Sequence, residues 1–444
     1  DEWYWQHGEV RARASERWRL TGPVRRSMLD LRRLRSEPEV VRAALERRDG
    51  AEGLDRVIEL DEQRRALLPQ LEALRAEQNA ANEAISAAKA SGESADQQIA
   101  AMKDVAARAK ALDAELQIAE AELDGALALL PNLPDDDAPA EDTVLRECGE
   151  QPKFDFEPRD HLDLSGERID MERAARLSGA RFAYLRGELV MLELALVRWT
   201  LELLGEHGFE PVIPPVLVRE EALHGTGFLP DTEQQIYRLA DDDLYLVGTS
   251  EVALASLHAD EILVAEKLPL RYAGFSPCFR REAGSAGRDT RGIFRVHQFD
   301  KVEMFSFAAP EEAKEEHLRL LAIEEQILTA LGLPYRVVDI AIDDLGASAA
   351  RKFDCEAWLP SEGRYRELTS TSNTTDFQAR RLAIRMRREG GKPELLATLN
   401  GTAVAVGRTI IALLENGQQS DGSVVIPQCL VDCGAPAVLP PAEA

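Results

Sequence analysis

Two heptad runs joined by a short turn restrict the fold of this chain more than any other feature. In the first run, residues 54–90, two lines of side chains recur every seven positions, and two members of the second line are polar. These lines are Leu60, Leu67, Leu74 and Ala81, then Arg64, Leu71, Gln78 and Ile85. In the second run, which ends near Leu130, the lines are Val105, Leu112, Ala119 and Ala126, then Ala109, Leu116, Leu123 and Leu130. Because Ser91-Gly92 suits a chain reversal, the pattern predicts an antiparallel coiled-coil hairpin with arms on the order of 50 Å long.

Such a hairpin buries only a narrow seam, so it must project from a larger body. Two uses remain open on this pattern: a dimerisation device, or a rod that reaches a distant part of a large ligand. A stretch rich in proline and aspartate, residues 131–139, ends the helices as a stiff polar linker.

The pattern changes after about residue 150, where short β-rich runs alternate with amphipathic helices. The runs are Leu244–Val247, Gly292–Phe305 and Tyr365–Ser372, and the helices are predicted over about 186–207, 310–331 and 402–416. Neighbouring strands without obligatory helical crossovers favour a mostly antiparallel sheet flanked by helices. We therefore predict an α+β chain with a helical domain over 28–138 and a sheet-containing domain over 139–444.

A leader over 1–27 has an uncertain origin. It mixes tryptophans and arginines and has no apolar core of the kind that a secretory signal needs, whereas Met28 opens a well-patterned segment. Two interpretations remain: a segment foreign to the native chain or a misplaced start, and an added basic arm for RNA.

Composition narrows the class of protein. No run of about 18 apolar residues exists, so no membrane span is expected. Five scattered cysteines suit a reducing cytoplasm, and the close pair Cys429 and Cys433 lacks the two further ligands that a zinc site needs. The net charge of −26 repels nucleic acid at long range, so an RNA partner would require a local basic patch. Neither a Walker-type GxxxxGK[ST] motif nor a dinucleotide GxGxxG motif occurs.

The most informative run for chemistry covers residues 279–303. Arginines and glycines crowd a stretch with apolar-rich runs on both sides, which predicts a strand, a loop and a returning strand. Clustered arginines are costly unless anions lie between them, and the arginine fork suits phosphate oxygens. On the far strand, Glu303 could hold an ammonium group and Phe299 could stack on a base.

A second run, residues 398–415, predicts a strand end that turns into a helix. Asn400 and Thr402 are candidate cap residues. Arg408 lies among apolar residues one or two turns into the helix, and an unpaired buried guanidinium is expensive. We therefore expect Arg408 to point along a cleft toward an anion.

Five runs, in this order, resemble the motifs of the bacterial-type seryl-tRNA synthetases, a family of class II aminoacyl-tRNA synthetases. Motif 1 resembles residues 208–215, motif 2 residues 279–299 and motif 3 residues 400–408. Residues 248–251, and 366–373 with 376–381, resemble segments particular to the serine enzymes. The resemblance implies a helical arm that binds tRNA(Ser), a class II catalytic domain, a homodimer, and a cytoplasmic enzyme that uses ATP, Mg²⁺ and L-serine. It leaves open whether tRNA(Sec) is a second acceptor.

The resemblance also implies roles for individual residues. In the serine pocket, Glu303 would hold the ammonium group, Asn400 and Thr402 would bind the hydroxyl, and Thr249, Ser250 and Glu251 would line the wall. Arg280 would bind the serine carboxylate and the α-phosphate, Glu282 the adenine edge and Arg408 the γ-phosphate, while Phe299 stacks on adenine. The remaining ATP contacts would be Arg281, Val296, Leu368 and Thr369, and Glu367 and Ser370 would coordinate Mg²⁺. The catalytic residues would be Arg280, Glu303 and Arg408.

The hairpin departs from the family in its charge. The family uses lysines and arginines near the hairpin tip to bind the variable arm of the tRNA, but residues 54–130 contain eight Lys/Arg and fifteen Asp/Glu. The candidate tRNA contacts are Arg64, Arg65, Arg75, Lys89, Lys103, Arg108 and Lys110. Three alternative functions remain open: a second-copy seryl synthetase for antibiotic resistance or a biosynthetic pathway, a homologue that loads a carrier protein, and an inactive paralogue.

Overall fold

The computed structural model describes residues 30–92, 94–230, 233–284, 287 and 289–442. The leader over 1–27, and with it both interpretations of that segment, lies outside the described residues. The chain divides into two compact units with the boundary between Leu133 and Pro134.

The first unit is helical. It consists of α1 Leu31–Ser36, α2 Pro38–Glu46, α3 Leu54–Ser91 and α4 Asp96–Leu129. The long helices α3 and α4 form the predicted antiparallel hairpin, and each of the sixteen predicted seam residues is buried or half-buried. Gly92 ends α3 in the left-handed conformation, with φ of 76°, as the reversal requires. The coiled-coil prediction is therefore confirmed.

The second unit contains eighteen strands and nine α-helices among its described residues. The strands are β1 Thr143–Cys148, β2 Ile169–Asp170, β3 Tyr184–Leu185, β4 Glu210–Val212, β5 Leu217–Val218, β6 Tyr237–Leu239, β7 Leu244–Leu246, β8 Ile262–Val264, β9 Leu270–Phe279, β10 Gln298–Ala308, β11 Tyr335–Asp339, β12 Arg351–Leu359, β13 Arg364–Asn373, β14 Arg385–Arg387, β15 Glu394–Leu395, β16 Ala397–Ala405, β17 Val424–Val425 and β18 Val438–Leu439. The helices are α5 His161–Ser165, α6 Met171–Ser178, α7 Glu188–Glu206, α8 Glu220–Thr226, α9 Glu251–Ala255, α10 Ala313–Ala330, α11 Phe377–Arg381, α12 Val406–Gly417 and α13 Gln428–Asp432.

One eight-stranded sheet organises this unit, in the order β1-β11-β12-β13-β16-β10-β9-β4. Every neighbouring pair is antiparallel except β4 and β9, which run parallel. The predicted antiparallel sheet is therefore confirmed. Helices α7, α10 and α12 pack against it and close the main core, which contains Leu192, Leu320 and Ile410 in fully buried positions. Apolar side chains on one stripe of each helix bury against the sheet, which is what holds the layers together.

Two predicted boundaries differ in the structure. The strand predicted from Gly292 begins at Gln298, and residues 291–297 instead return toward the sheet as irregular backbone. The helix predicted from residue 402 begins at Val406, so Asn400 and Thr402 are strand residues and the prediction that they cap a helix is wrong. The reason is that β16 pairs with β13 on one side and β10 on the other, and all nine of its residues are buried.

From the sequence we expect no membrane-spanning helix. In the part of the chain that the structure describes, no helix combines the length and the apolar character needed to cross a bilayer.

Candidate active site

A cavity of about 380 Å³ opens on the sheet where β9, β10, β13 and β16 lie side by side, and the first residues of α12 form part of its wall. Nine of the described residues that line it are charged. They are five cations, Arg280, Arg295, Lys301, Lys352 and Arg408, and four anions, Glu251, Glu282, Glu303 and Glu367. On a chain with a net charge of −26, this local excess of cations indicates a site for an anionic ligand.

One end of the cavity is a small, buried polar pocket. Glu303 on β10 is 2% exposed, and Thr402 on β16 lies beside it, with its hydroxyl 3.5 Å from the Glu303 carboxylate. Thr249 and Asn400 are also buried here. A pocket that combines a carboxylate with hydroxyl and amide groups can bind an ammonium group and a hydroxyl group together.

Glu251 adds a second buried carboxyl group to this end. Its Oε1 accepts a hydrogen bond of 2.7 Å from Gln378, and the residue is 8% exposed. Burial raises the pKa of Glu251 to about 7, and the negative charge of Glu303 adds to the effect. The pocket therefore holds a carboxyl group that changes its protonation near neutral pH.

Two β-bulges aim side chains into the cavity. Between β10 and β16 the register shifts after Val302, so Glu303 lies opposite Thr402 rather than Ala403. Between β12 and β13 a similar shift leaves Leu368 without a partner residue. Consequently Glu367 and Ser370 both line the cavity, although a spacing of three would place them on opposite faces of a regular strand.

The other end of the cavity is built from arginines and aromatic rings. Arg280, the first residue after β9, donates from Nε to the carbonyl of Gly248 at 3.1 Å and lies 5.3 Å from the ring centre of Phe299. Arg408 donates from Nη1 to the Glu367 carboxylate at 3.2 Å and lies 4.6 Å from the ring centre of Phe294. Guanidinium groups held this way, beside flat rings, suit a nucleotide with its phosphates.

The carboxylates at this end are paired with cations. Burial opposes ionisation of Glu367, but the charges of Arg408, Lys352 and Arg280 outweigh it and lower the pKa of the carboxyl. Glu282 follows the strand β9 closely, with φ of 50°, and accepts from Arg295 at 2.7 Å. A non-glycine residue in this left-handed conformation carries a local strain cost, which is common at functional sites.

Most residues that the sequence assigned to the site come together around this one cavity. Those that line it are Thr249, Glu251, Arg280, Glu282, Val296, Phe299, Glu303, Glu367, Leu368, Ser370, Asn400, Thr402 and Arg408. Their individual roles remain predictions.

Three assigned residues lie outside the lining. The Ser250 side chain is fully buried with its Oγ 3.5 Å from the Gly274 carbonyl, and Thr369 donates into the core to Glu324 at 2.8 Å. Arg281 is exposed, and its backbone N–H bonds to the carbonyl of Gln235. Thr369 precedes the cavity-lining Ser370 on β13, so strand alternation turns its side chain to the opposite face. The expected roles of all three residues remain predictions.

The sequence reasoning missed several lining residues: Phe294, Arg295, Lys301 and Lys352. A signal for Lys301 was present, because it lies two positions before Glu303 on the same strand, and a spacing of two places side chains on one face. No local signal identified Lys352, which reaches the cavity from β12 only because the strands assemble in this order.

The candidate tRNA contacts on the helical arm separate into two groups. Arg64 is 7% exposed and bonds to Glu120 across the seam at 3.1 Å, so its assignment as a tRNA contact is wrong: it is a buried member of the seam. Arg75 pairs with Asp113 at 2.8 Å but remains accessible. The others are exposed along α3 and α4, namely Arg65, Lys89, Lys103, Arg108 and Lys110.

Comparison with known proteins agrees with this architecture. Residues 28–134 match the family model of the seryl-tRNA synthetase N-terminal domain, and residues 235–417 match that of the tRNA synthetase class II core domain (G, H, P, S and T). A serine–tRNA ligase from Acidothermus cellulolyticus is 56% identical over 423 residues, covering 93% of this chain and 100% of the relative. One from Thermobifida fusca is 54% identical over 411 residues, covering 91% and 96%.

A solved structure is similar over the same extent. The seryl-tRNA synthetase from Pyrococcus horikoshii, crystallised in complex with ATP, matches with a TM-score of 0.87 at 40% identity and covers 94% of this chain and 100% of that one. Two family models match this chain, and relatives that are more than half identical to it match over nearly its whole length. The cavity lies in the class II core, between the predicted motifs. The chain therefore belongs to the seryl-tRNA synthetase family.

Proposed function

We propose that this chain is a serine–tRNA ligase. It activates L-serine with ATP to form seryl-adenylate and pyrophosphate, and then transfers serine to the 3′ end of tRNA(Ser), with tRNA(Sec) as a further candidate acceptor. The observation that carries the proposal is the two-ended cavity, which joins a buried pocket for an ammonium and a hydroxyl group to an arginine-rich end for phosphates. An inactive paralogue is disfavoured because Arg280, Glu303 and Arg408 all line that cavity.

In the activation step, serine enters the buried end. Glu303 binds the ammonium group, Asn400 and Thr402 bind the hydroxyl, and Arg280 holds the carboxylate near the α-phosphate. The carboxylate oxygen attacks the α-phosphorus, the bond to the bridging oxygen breaks, and pyrophosphate leaves. Arg280 and Arg408 stabilise the negative charge that develops, and the fixed geometry lowers the entropic cost of the encounter. No protein side chain becomes covalently attached.

A divalent cation fits the donor set at the phosphate end. The Glu367 carboxylate is held ionised and the Ser370 hydroxyl lines the same side of β13, and oxygen donors of this kind suit Mg²⁺. When bound there, Mg²⁺ would neutralise phosphate charge. Glu367 and Ser370 would hold the cation, and Arg408, which lies beside Glu367, would bind a phosphate oxygen.

The transfer step needs the end of a tRNA at the cavity, where its terminal hydroxyl attacks the carbonyl of the adenylate. A long helical arm that carries exposed lysines is the part of the chain suited to a distant region of the tRNA. The arm also weighs against the alternative in which serine is loaded onto a carrier protein, since that reaction does not need it.

A homodimer is the assembly we propose. The exposed face of α7 presents Met191 and Leu194, which are 50% and 55% exposed, and Ile213 beside the sheet-edge strand β4 is 83% exposed. An apolar face next to a free strand edge suits a symmetric contact with a second copy. Leu194→Glu should give a monomer in size-exclusion chromatography with light scattering. Leu318→Glu, an equally exposed leucine on α10, serves as the control and should leave the dimer intact.

The function is tested by two assays on one purified sample: serine-dependent ATP–pyrophosphate exchange, and charging of serine tRNA. Both activities are expected. Exchange without charging would leave the activation chemistry in place and point to another acceptor. Absence of exchange with serine and with every other amino acid would contradict the proposal and favour the inactive paralogue.

A further inference from the structure

A buried lysine at the amino-acid end has no assigned part in the reaction. Lys301 lies on β10 between Ser276 of β9 and Ala405 of β16 and is only 6% exposed. Its Nζ donates to Thr249 Oγ1 at 2.6 Å and forms an ion pair with the carboxylate of Glu303. Both of its partners line the serine pocket.

The position of Lys301 is costly and therefore informative. A lysine ammonium is strongly hydrated, and its transfer to a buried site is unfavourable unless it is paired and hydrogen-bonded. Here the ammonium meets one carboxylate directly, and its charge also favours ionisation of a second carboxyl, Glu251, which is crowded by Glu303. Without Lys301, the buried Glu303 carboxylate would lose its ion pair while it still interacts with the nearby Glu251 carboxyl.

The direction of the side chain limits the role. Lys301 points at Glu303 and Thr249, whereas Arg280 and Arg408 form the end suited to the serine carboxylate and the phosphates. Lys301 therefore acts through the residues that it contacts. Because the Glu303 carboxylate is held between Lys301 and the Thr402 hydroxyl, its orientation is fixed, and the pocket would be ready for the substrate ammonium group before serine arrives.

We propose that Lys301 is a positioning residue of the amino-acid pocket, which orients the Glu303 carboxylate and holds the Thr249 hydroxyl in place. This inference rests on the proposed function and deepens it. It assigns to Lys301, which is not among the site residues implied by the family motifs, an effect on the strength of serine binding and none on ATP binding.

The test compares three full-length variants in serine-dependent ATP–pyrophosphate exchange, with the Michaelis constants for serine and ATP measured separately. Lys301→Met removes the charge and keeps much of the side-chain length. Its KM for serine should rise about 30-fold or more, because removing one partner leaves a buried charge uncompensated, while its KM for ATP should stay within about threefold. Lys301→Arg keeps the charge and should recover most of the serine affinity.

Lys314→Met is the matched control, since Lys314 forms an exposed ion pair with Asp137 and lies outside the cavity. It should behave as the wild type. The proposal is overturned if Lys301→Met keeps its serine KM within about threefold, or if its KM values for serine and ATP rise together with a lowered melting temperature, which would indicate a purely structural role. Failure of the wild type to exchange with serine would instead contradict the proposed function itself.

Discussion

At the residue scale, the amino-acid end of the cavity consists of side chains that are unfavourable to bury. Glu303, Lys301 and Glu251 are each less than a tenth exposed. Lys301 and Glu303 lie on β10 and form an ion pair, and Glu251 is close enough to both for their charges to interact. A fold selected only for stability would place apolar groups there. Their presence is best explained by the binding of a small polar substrate.

The first prediction concerns Glu303. Glu303→Gln keeps the shape of the side chain but removes the charge that we propose binds the substrate ammonium group. Serine-dependent ATP–pyrophosphate exchange should fall about 100-fold or more, because a charge-assisted hydrogen bond in a buried site is lost. The melting curve should show a folded protein. Glu315→Gln, on the exposed face of α10, is the control. Normal exchange by Glu303→Gln would show that the pocket is assigned incorrectly.

The second prediction concerns pH and Glu251. Its pKa is raised from 4.5 to about 7 in the folded state, so the folded protein binds this proton more tightly than the unfolded chain does. The resulting stabilisation is present below pH 4.5 and is lost as the pH rises through 7. Glu251→Gln lacks this dependence. Between pH 5 and pH 8, the unfolding free energy of the wild type should therefore fall relative to the variant by about 1–3 kcal/mol.

Denaturant unfolding of both proteins at the two pH values measures this difference. The comparison with the variant is needed because burial also raises the pKa of Asp354 to about 7, and that group contributes equally to both proteins. Parallel pH dependence of wild type and Glu251→Gln would contradict the assignment.

At the element scale, the loop between β9 and β10 is held in place by contacts with residues 160–163, which are distant in the sequence. Arg291 pairs with Asp160 at 2.7 Å and with Asp163 at 3.0 Å, and the Ile293 N–H donates to His161 Nε2 at 3.2 Å. Gly292 packs on the His161 ring so closely that an added Cβ would lie 1.9 Å from Nε2. The short helix α5 therefore supports the cavity wall formed by residues 293–296.

The third prediction tests this contact. His161→Ala removes the acceptor for the Ile293 N–H and leaves space under the loop. The cavity wall formed by residues 293–296 should therefore become less ordered. We expect the KM for ATP to rise about tenfold, with a smaller effect on serine, because misplaced positioning groups weaken binding of the ligand that they contact. His207→Ala, which removes a surface contact to Gln326, is the control. An unchanged KM for ATP in His161→Ala would show that α5 does not support the site.

At the scale of the whole molecule, the chain separates activation chemistry from the part suited to distant tRNA contacts. The cavity lies entirely within residues 134–444, and the helical arm belongs to the other unit. The arm is acidic overall, so its electrostatic attraction for RNA must come from the few exposed cations on α3 and α4.

The fourth prediction separates the two activities. Lys103 and Lys110 are exposed on α4 and lie seven residues apart, hence on one face of the helix. The double variant Lys103→Glu with Lys110→Glu should lower kcat/KM for serine tRNA about tenfold or more and leave pyrophosphate exchange unchanged, because charge reversal replaces attraction to phosphate by repulsion. If charging is unaffected at physiological salt, these lysines do not contact the tRNA.

The helical hairpin and many of the residues that line the cavity were predicted from the sequence. The seam from Leu60 to Leu130 follows from a seven-residue periodicity that recurs over successive heptads in the sequence, and its prediction is confirmed. Glu303 and Arg408 were singled out by residue type and apolar surroundings, and Arg280 by the resemblance to the family motifs, without knowledge of the strand order.

Which side chains contact one another could not be predicted from the sequence, because it depends on how the strands assemble. The bulges that turn Glu367 and Ser370 to one side of β13, and that set Glu303 opposite Thr402, depend on hydrogen bonding with neighbouring strands that are distant in the sequence. The same holds for the burial of Arg64 against Glu120 and for the contact between Lys301 and Thr249. The physical reason is that burial, register and charge pairing are properties of packed neighbours, whereas periodicity and motif spacing belong to the chain alone.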